Sequence, residues 1–551
     1  MKYETVRTTD GMPPLPAATE TAAGANGAPA VQPTPSVLFS FQAFHIVLLA
    51  LTGLMAILLF AQVFRMLPVT GDNMYPESAG AVDAQRWAQG LPLYADYRQP
   101  PFLITHFPPL WYAVLEGAAK LGFGTMDAIV LWGRVFNLIC LFAVVVLGYR
   151  WNRRAGLAGA LAVLTATFYL SFPILVPWAV TARPDFPGLF FAFLAVYLVG
   201  VRASGKHVFY AAIAAALAIL CRHNGVAAPV SIVAWLVWSK RIKHAALFCA
   251  VVAALVGPVM AYFQATTGMV LLNLSSAKFG PLAFTYARDV IFRLLSTPGY
   301  TFVTGLAVFG VIGLLESWKQ PDHRGRLLGM YLAAAGFFAI LGSAAAGAAV
   351  NHYLETAFAL AVLVPPGVAA MRKTWKNGSA LSALPAVFAV VLLAPSLDLQ
   401  RWNLMHPETE DLRRVARLME NKAVFTDIPY LAARNQSAQF TDPVSLTYTE
   451  RKPGPTAWSS TSLAGSLKNR TYDLVILYER ADEPYNPAAL YPRYPRLDGS
   501  IRLAVQQNYQ LCFELDKAYI YGRLTGAGSS VGNGCPAPIA SFTGSSAAPP
   551  M

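Results

Sequence analysis

Asp72 and Glu77 stand in the stretch TGDNMYPES, Thr70 to Ser78, a few residues past a long uncharged run that ends at Phe64. Carboxylates exchange protons, and arginines and lysines bind anions, so the two types together can serve a reaction that does both. More of each follow. Asp83, Asp96 and His106 come next, then Arg183 with Asp185, Arg222 with His223, Lys278 with Arg288 and Asp289, and His352 with Glu355. These groups can act as one site only if the segments between them return each one to the same side.

Long uncharged segments provide that return. Hydrophobic residues make up 55% of the 551-residue chain and charged residues 13%, where a soluble domain carries about 25% charge. Eleven segments lack Asp, Glu, Lys and Arg: 44–64, 135–149, 155–177, 186–201, 207–221, 225–239, 245–265, 300–315, 327–350, 356–371 and 378–396. Some fall short of the roughly 20 residues that span a bilayer as a helix, and uncharged flanks make up the difference. The composition reads as an α-helical polytopic membrane protein.

Alternate connections differ in charge. One set holds Arg150, Arg153, Arg154, Arg202, Lys206, Lys240, Arg241, Lys243, Lys319, Arg324, Arg326, Arg372, Lys373 and Lys376; the opposite set, after the first loop, holds Arg183, Arg222, Lys278, Arg288 and Arg293. Basic residues mark the cytoplasmic side, which places the N-terminus inside and residues 397–551 outside. All the acid and base groups named above then share the outer face. A bacterial inner membrane is the expected location, with the C-terminal part periplasmic or extracellular. The net charge of +13 is partly this asymmetry, and no nucleic acid is needed to explain it.

Residues 1–36 are rich in Ala, Pro, Thr and Gly and read as a disordered cytoplasmic tail. The first apolar segment lies too far in, and is too long, for a signal peptide, so it is expected to remain as an anchor. Beyond the last segment, Lys422–Thr426, Asp473–Tyr478 and Ala518–Tyr521 look like short strands and Asp411–Glu420 has helical periodicity. Residues 401–524 are therefore expected to form an extracytoplasmic α/β domain. Residues 525–551, dominated by Gly, Ser, Ala and Pro, read as a second disordered tail. Cys140, Cys221 and Cys249 read as packing residues, while Cys512 and Cys535 lie in the oxidising compartment, where they either pair or stay free.

Several functions fit poorly. A transporter or flippase places ionisable groups at mid-membrane or carries an internal repeat, and neither is found in the apolar segments. No Gly-rich phosphate loop or nucleotide signature occurs, which argues against a nucleotide sugar. No clustered His/Cys/Asp spacing points to a metal. A binding or scaffold protein would need neither eleven segments nor acids and bases on one face.

The first outer loop, 66–134, carries further local signals. Ala79–Gln89 reads as a short helix closed by Gly90 and Pro92, and Pro108-Pro109 opens a second over LWYAVLEGAAKLGFG. Two interfacial helices would then fence a cleft with Glu77 at its edge.

An acid soon after the first span, a G-x-P-L-Y turn, a His-x-Pro-Pro-Leu-x-Tyr-like segment and Arg134 opening the second span resemble the first loop of the GT-C class of glycosyltransferases. The branch that is similar includes the protein O-mannosyltransferases and lipid A aminoarabinose transferases. Ala182–Asp185 (ARPD) and Asn351–Glu355 (NHYLE) fit the same pattern. The resemblance covers roughly 37–400 and implies a transmembrane catalytic domain there. It further implies a transferase that takes a sugar from a polyprenyl-phosphate donor and passes it, with inversion, to a glycan, lipid or protein acceptor. Rival readings are a polyprenyl-lipid phosphotransferase and a non-enzymatic anchored scaffold.

On this resemblance Glu77 is the first candidate for the base. Pro76 stands where family members show the first acid of an Asp-Glu pair, so either Glu77 acts alone or Asp72 takes that part. Asp185 either caps its helix or orients a substrate, with Arg183 reaching the phosphate or pairing with the acid. Arg222 either snorkels or meets a lipid phosphate. His106, His352 and Tyr353 are candidate substrate contacts or interfacial anchors, and Lys278 and Arg288 bind either the donor phosphate or surface lipid. The reading needs no cofactor, with a divalent cation, as in oligosaccharyltransferases, left as the alternative.

Overall fold

In the computed structural model the described residues are 46–68 and 77–375, both with short gaps, then 409–431, 439–440, 458–482, 499–524 and 535–536, also with short gaps. Asp72, Lys278, the segment 378–396 and the residues assigned to the N-terminal tail lie outside them, as does the C-terminal tail apart from Cys535 and Pro536.

Among the described residues the membrane-type part is built from helices and their connections. In chain order come α1 (Thr52–Met66), α2 (Glu77–Ala88), α3 (Pro109–Lys120), α4 (Met126–Arg154), α5 (Gly159–Leu170), α6 (Leu175–Ala179), α7 (Asp185–Val201) and α8 (Gly205–Cys221). There follow α9 (Ala227–Trp238), α10 (Ile242–Thr267), α11 (Val270–Ser276), α12 (Phe284–Ser296), α13 (Pro298–Lys319), α14 (His323–Ser343), a 3₁₀ turn at Val350–Tyr353 and α15 (Leu354–Trp375). Among the described residues four apolar stretches, Met126–Arg154, Ile242–Thr267, His323–Ser343 and Val350–Lys373, are long enough to cross a membrane, and shorter apolar helices accompany them. Such an assembly fits a polytopic membrane protein. The segment read as one span at 155–177 is divided between α5 and α6; Pro173, between them, can donate no hydrogen bond to a helix ladder.

The long helix α4 organises the bundle. Thr125 caps its first turn by accepting from the Ala128 amide at 3.3 Å, Asp127 follows in that turn and Arg153 and Arg154 end it, so charge complements the helix dipole at both ends. Trp151, Phe193, Tyr197, Tyr331 and Phe358 fill the bundle core. Gly200 lets the Trp151 ring lie against the α7 backbone, where a side chain would collide.

In the first outer loop, α2 ends at a left-handed Gly90 (φ +84°) and α3 starts with Pro109 in its first turn. The two helices pack together through Ala81, Val82, Trp111, Tyr112 and Leu115. Asn273 on α11 fastens the strand-like connection between them: its side chain accepts from the Thr105 amide and donates to the Ala95 carbonyl, both at 2.9 Å.

The C-terminal part is a five-stranded sheet, β1 (Val424–Thr426), β2 (Gln439–Phe440), β3 (Leu474–Leu477), β4 (Tyr509–Leu515) and β5 (Ala518–Arg523), in the order β2-β1-β3-β5-β4. β1 runs parallel to β2 and β3, and β5 is antiparallel to β3 and β4. β1 and β3 are buried along their whole length, in keeping with the continuous apolar run of a strand covered on both faces. Helix α16 (Thr409–Leu418) packs on one face through Val415 and Leu418; α17 (Thr461–Lys468) and α18 (Gly499–Asn508) pack on the other. Cys512 on β4 and Cys535 form a disulfide with Cα atoms 5.5 Å apart.

The face under α17 and α18 is completed from elsewhere in the chain. Tyr97, Phe102 and Ile104 of the first loop are buried in the same apolar cluster as Trp458, Leu463 and Val505, and the Phe102 and Trp458 rings meet edge to face at 6.1 Å. Trp458→Ala is expected to remove this contact at a cost of about 3–5 kcal/mol. The melting transition of the C-terminal part, followed by protease susceptibility in detergent, should shift downward while the helical signal of the bundle persists.

Candidate active site

Glu77 opens α2 and is fully buried. Arg134, two turns into α4, holds it with both arms, Nε to Oε1 at 2.6 Å and Nη2 to Oε2 at 2.9 Å. The Ala182 amide donates to the same Oε1 at 2.6 Å, and Arg134 Nη1 donates to the Leu67 carbonyl at 3.2 Å. This carboxylate therefore ties together the exit of α1, the start of α2, the body of α4 and the ARPD turn. Gly133 allows the close approach: a methyl there would sit 2.7 Å from the Ala182 Cβ. Instead of standing at the edge of a cleft, Glu77 is the buried pin that joins its walls.

The ARPD turn carries a second buried carboxylate. Asp185, at the start of α7, accepts from Arg183 Nε on Oδ2 at 3.0 Å and from Asn351 Nδ2 on Oδ1 at 2.9 Å, and Arg222 Nη1 lies 3.2 Å from Oδ1. Three separate connections thus converge on one residue. Asn137 on α4 shapes the turn, donating to the Trp178 and Thr181 carbonyls at 2.7 and 3.1 Å and accepting from the Phe186 amide at 3.2 Å. Gly188 gives Arg222 room to lie against α7.

Two guanidiniums share the one Asp185 carboxylate. The side chains of Arg183 and Arg222 each keep 12% exposure. Among the described residues, the Nη donors of Arg183 and the Nε and Nη2 donors of Arg222 meet no protein acceptor. Charge-assisted donors left in that state are suited to an oxyanion.

Arg183 also lies over two rings, with its guanidinium carbon 5.3 Å from the Phe107 centroid and 4.9 Å from that of Trp178. Phe107 is the second residue of the HFPPLWY segment, whose tyrosine is structural: Tyr112 Oη accepts from the His106 and Phe107 amides at 3.1 and 3.2 Å. Tyr94, from the G-x-P-L-Y turn, donates to the Phe107 carbonyl at 2.9 Å. Burial, helped by the Asp83 carboxylate, pushes the Tyr94 hydroxyl well above the usual phenol range, so it stays a donor.

The remaining candidates divide. His106 is buried one residue from Phe107. His352 faces Gly342, where a side chain would strike its ring, and Tyr353 exchanges a hydrogen bond with Ser343 at 3.0 Å. Asp96 is occupied by its neighbour: Arg98 donates from its backbone and both ends of its guanidinium, and its hydrogen bond holds the carboxyl below the usual range. Arg288 is exposed and pairs with Asp289 at 3.2 Å. Sequence reasoning passed over Asn137 and Asn351 and took Arg134 only as the opening of a span. A polar side chain in or beside an apolar span is costly without a partner, and that cost was the available signal.

No family model matches the sequence, and no curated protein matches it either. Solved structures do match. ArnT from Cupriavidus metallidurans bound to undecaprenyl phosphate superposes with a TM-score of 0.54 at 12% identity, over 86% of this chain and 98% of that one. The chain has the GT-C fold. The apo state of the same ArnT gives 0.55 at 12% identity, over 85% and 97%. The Archaeoglobus fulgidus oligosaccharyltransferase in complex with Zn and sulfate gives 0.52 at 13% identity, over 86% and 73%. At these identities the shared property is the fold.

Removing one partner of the buried pair, by Glu77→Gln or Arg134→Gln, strands the other charge and should cost about 3–5 kcal/mol. The double variant should lose less than the two single losses summed. Thermal midpoints of the four proteins in one detergent measure that coupling.

Proposed function

We propose that the chain is an integral-membrane inverting glycosyltransferase that moves a sugar from a polyprenyl-phosphate donor to an extracytoplasmic glycan, lipid or protein. One observation carries this reading: Arg183 and Arg222 share Asp185 at the ends of two apolar helices, with several guanidinium donors to spare. A phosphate leaving an anomeric carbon gathers negative charge in the transition state, and fixed guanidinium donors lower that barrier. Support comes also from the fold, since the ArnT structure holds undecaprenyl phosphate and an Archaeoglobus fulgidus oligosaccharyltransferase, AglB, holds dolichol phosphate with an inhibitory peptide (TM-score 0.51, 11% identity).

In this reading residues 37–400 form the catalytic membrane domain of about eleven spans, with the N-terminus cytoplasmic. Residues 401–524 lie outside and meet the acceptor. Arg183 and Arg222 hold the donor phosphate, Asp185 and Asn351 fix their geometry, and Glu77 with Arg134 holds the frame. Of the three acids considered for the base, Glu77 and Asp185 have both oxygens engaged, and Asp72 lies outside the described residues. Among the described residues no group of three or more His, Cys, Asp or Glu could hold a metal ion. The arginines supply the charge that a divalent cation supplies in a metal-dependent transferase.

Purified protein in nanodiscs, given a panel of synthetic polyprenyl-phosphate sugars and candidate acceptors, should release polyprenyl phosphate. Arg222→Gln should raise the donor KM about 10–100-fold, the equivalent of one lost charge-assisted hydrogen bond. Release of free lipid alcohol with a sugar phosphate on the acceptor would identify a phosphotransferase instead. No turnover with any donor, with and without added divalent cation, would overturn the transferase reading.

A further inference from the structure

Buried polar atoms in folded proteins nearly always find partners. Beside the arginine pair several do not. Glu355 lies in the first turn of α15, just beyond the Asn351 that binds Asp185; its Oε1 is buried and has no hydrogen-bond partner among the described residues. Glu355 lies within electrostatic reach of Arg222 and beside the Tyr331 hydroxyl. Thr356 Oγ1, the next residue, is in the same state as Glu355 Oε1, as is Trp178 Nε1 in the ring that underlies Arg183. Glu355 and Trp178 thus leave an acceptor and a donor near the arginine pair.

We propose that Glu355 is a specificity-determining residue that accepts a hydrogen bond from a ring hydroxyl of the donor sugar, with Tyr331 beside it. The inference rests on the transferase reading above. A sugar joined directly to a phosphate extends only a few ångströms from the arginines that hold that phosphate, so a carboxyl within electrostatic reach of Arg222 meets the sugar. The same position makes Glu355 a poor proton acceptor for the attacking hydroxyl. Inversion brings that hydroxyl to the face of the anomeric carbon opposite the phosphate, away from Arg222. A polyhydroxylated ring is also the kind of ligand that satisfies a carboxyl, a phenol, a threonine hydroxyl and an indole N–H together.

The test compares the parent with Glu355→Gln and Glu355→Asp, matched for thermal midpoint, on the preferred donor and its series of single-deoxy analogues. A buried acceptor built for a hydroxyl discriminates strongly against its absence. The parent should lose on the order of 100-fold in kcat/KM with one deoxy analogue and far less with the others. Glu355→Gln should lose activity with the complete sugar yet show no further loss with that analogue. Glu355→Asp, with its shorter reach, should lie between. Equal losses on every donor, or an unchanged discrimination pattern in Glu355→Gln, would overturn the assignment while leaving the transferase reading intact. Failure of the parent to use any donor would overturn both.

Discussion

The buried ion pair between Glu77 and Arg134 is the constraint on which the candidate site depends. Two opposite charges with no exposure are tolerable only when geometry and additional donors satisfy them, and here the Ala182 amide and the Leu67 carbonyl complete the set. Because its members come from the first loop, α4 and the ARPD turn, the pair sets where that turn sits. Arg183 and Asp185 follow Ala182 directly, so their position is inherited from this pair.

Asp185 then does for the functional groups what Glu77 does for the frame. It draws Arg183, Arg222 and Asn351 from three connections into one place, and leaves guanidinium donors in surplus. The surplus is what distinguishes a binding site from a structural salt bridge. A cluster with every donor paired would be stable but would have no use for a phosphate, whereas an unopposed arginine in an apolar setting is expensive. Sharing one carboxylate between two guanidiniums meets both demands.

The first loop also couples the two parts of the chain. Its residues Tyr97, Phe102 and Ile104 are buried with residues of the C-terminal sheet, and Phe107, three residues on, lies under the Arg183 guanidinium. Phe107 is anchored from both sides by tyrosine hydroxyls, Tyr94 on its carbonyl and Tyr112 on its amide. A displacement of the sheet would therefore be transmitted to the arginine through fewer than ten residues of constrained backbone.

Much of the architecture was legible in the sequence, because hydropathy and punctuation are local. The uncharged runs, the proline that opens α3, the glycine that ends α2 and the apolar stretches of β1, β3 and β5 all act through near neighbours. So did the gathering of acids and bases at one set of connections, and the motifs that resemble GT-C enzymes. The division of 155–177 into two helices was less legible, since a proline in an apolar run may bend a helix or end it, and neighbouring helices decide which. Which charges meet was not legible at all. Glu77 finds Arg134 57 residues on, and Asp185 finds Asn351 166 residues on. Sequence alone supplied the types of groups and the connections that carry them. The tertiary structure decided which carboxylates are neutralised and which arginine donors remain, because pairing energy depends on distance and burial, and both are properties of the packed chain.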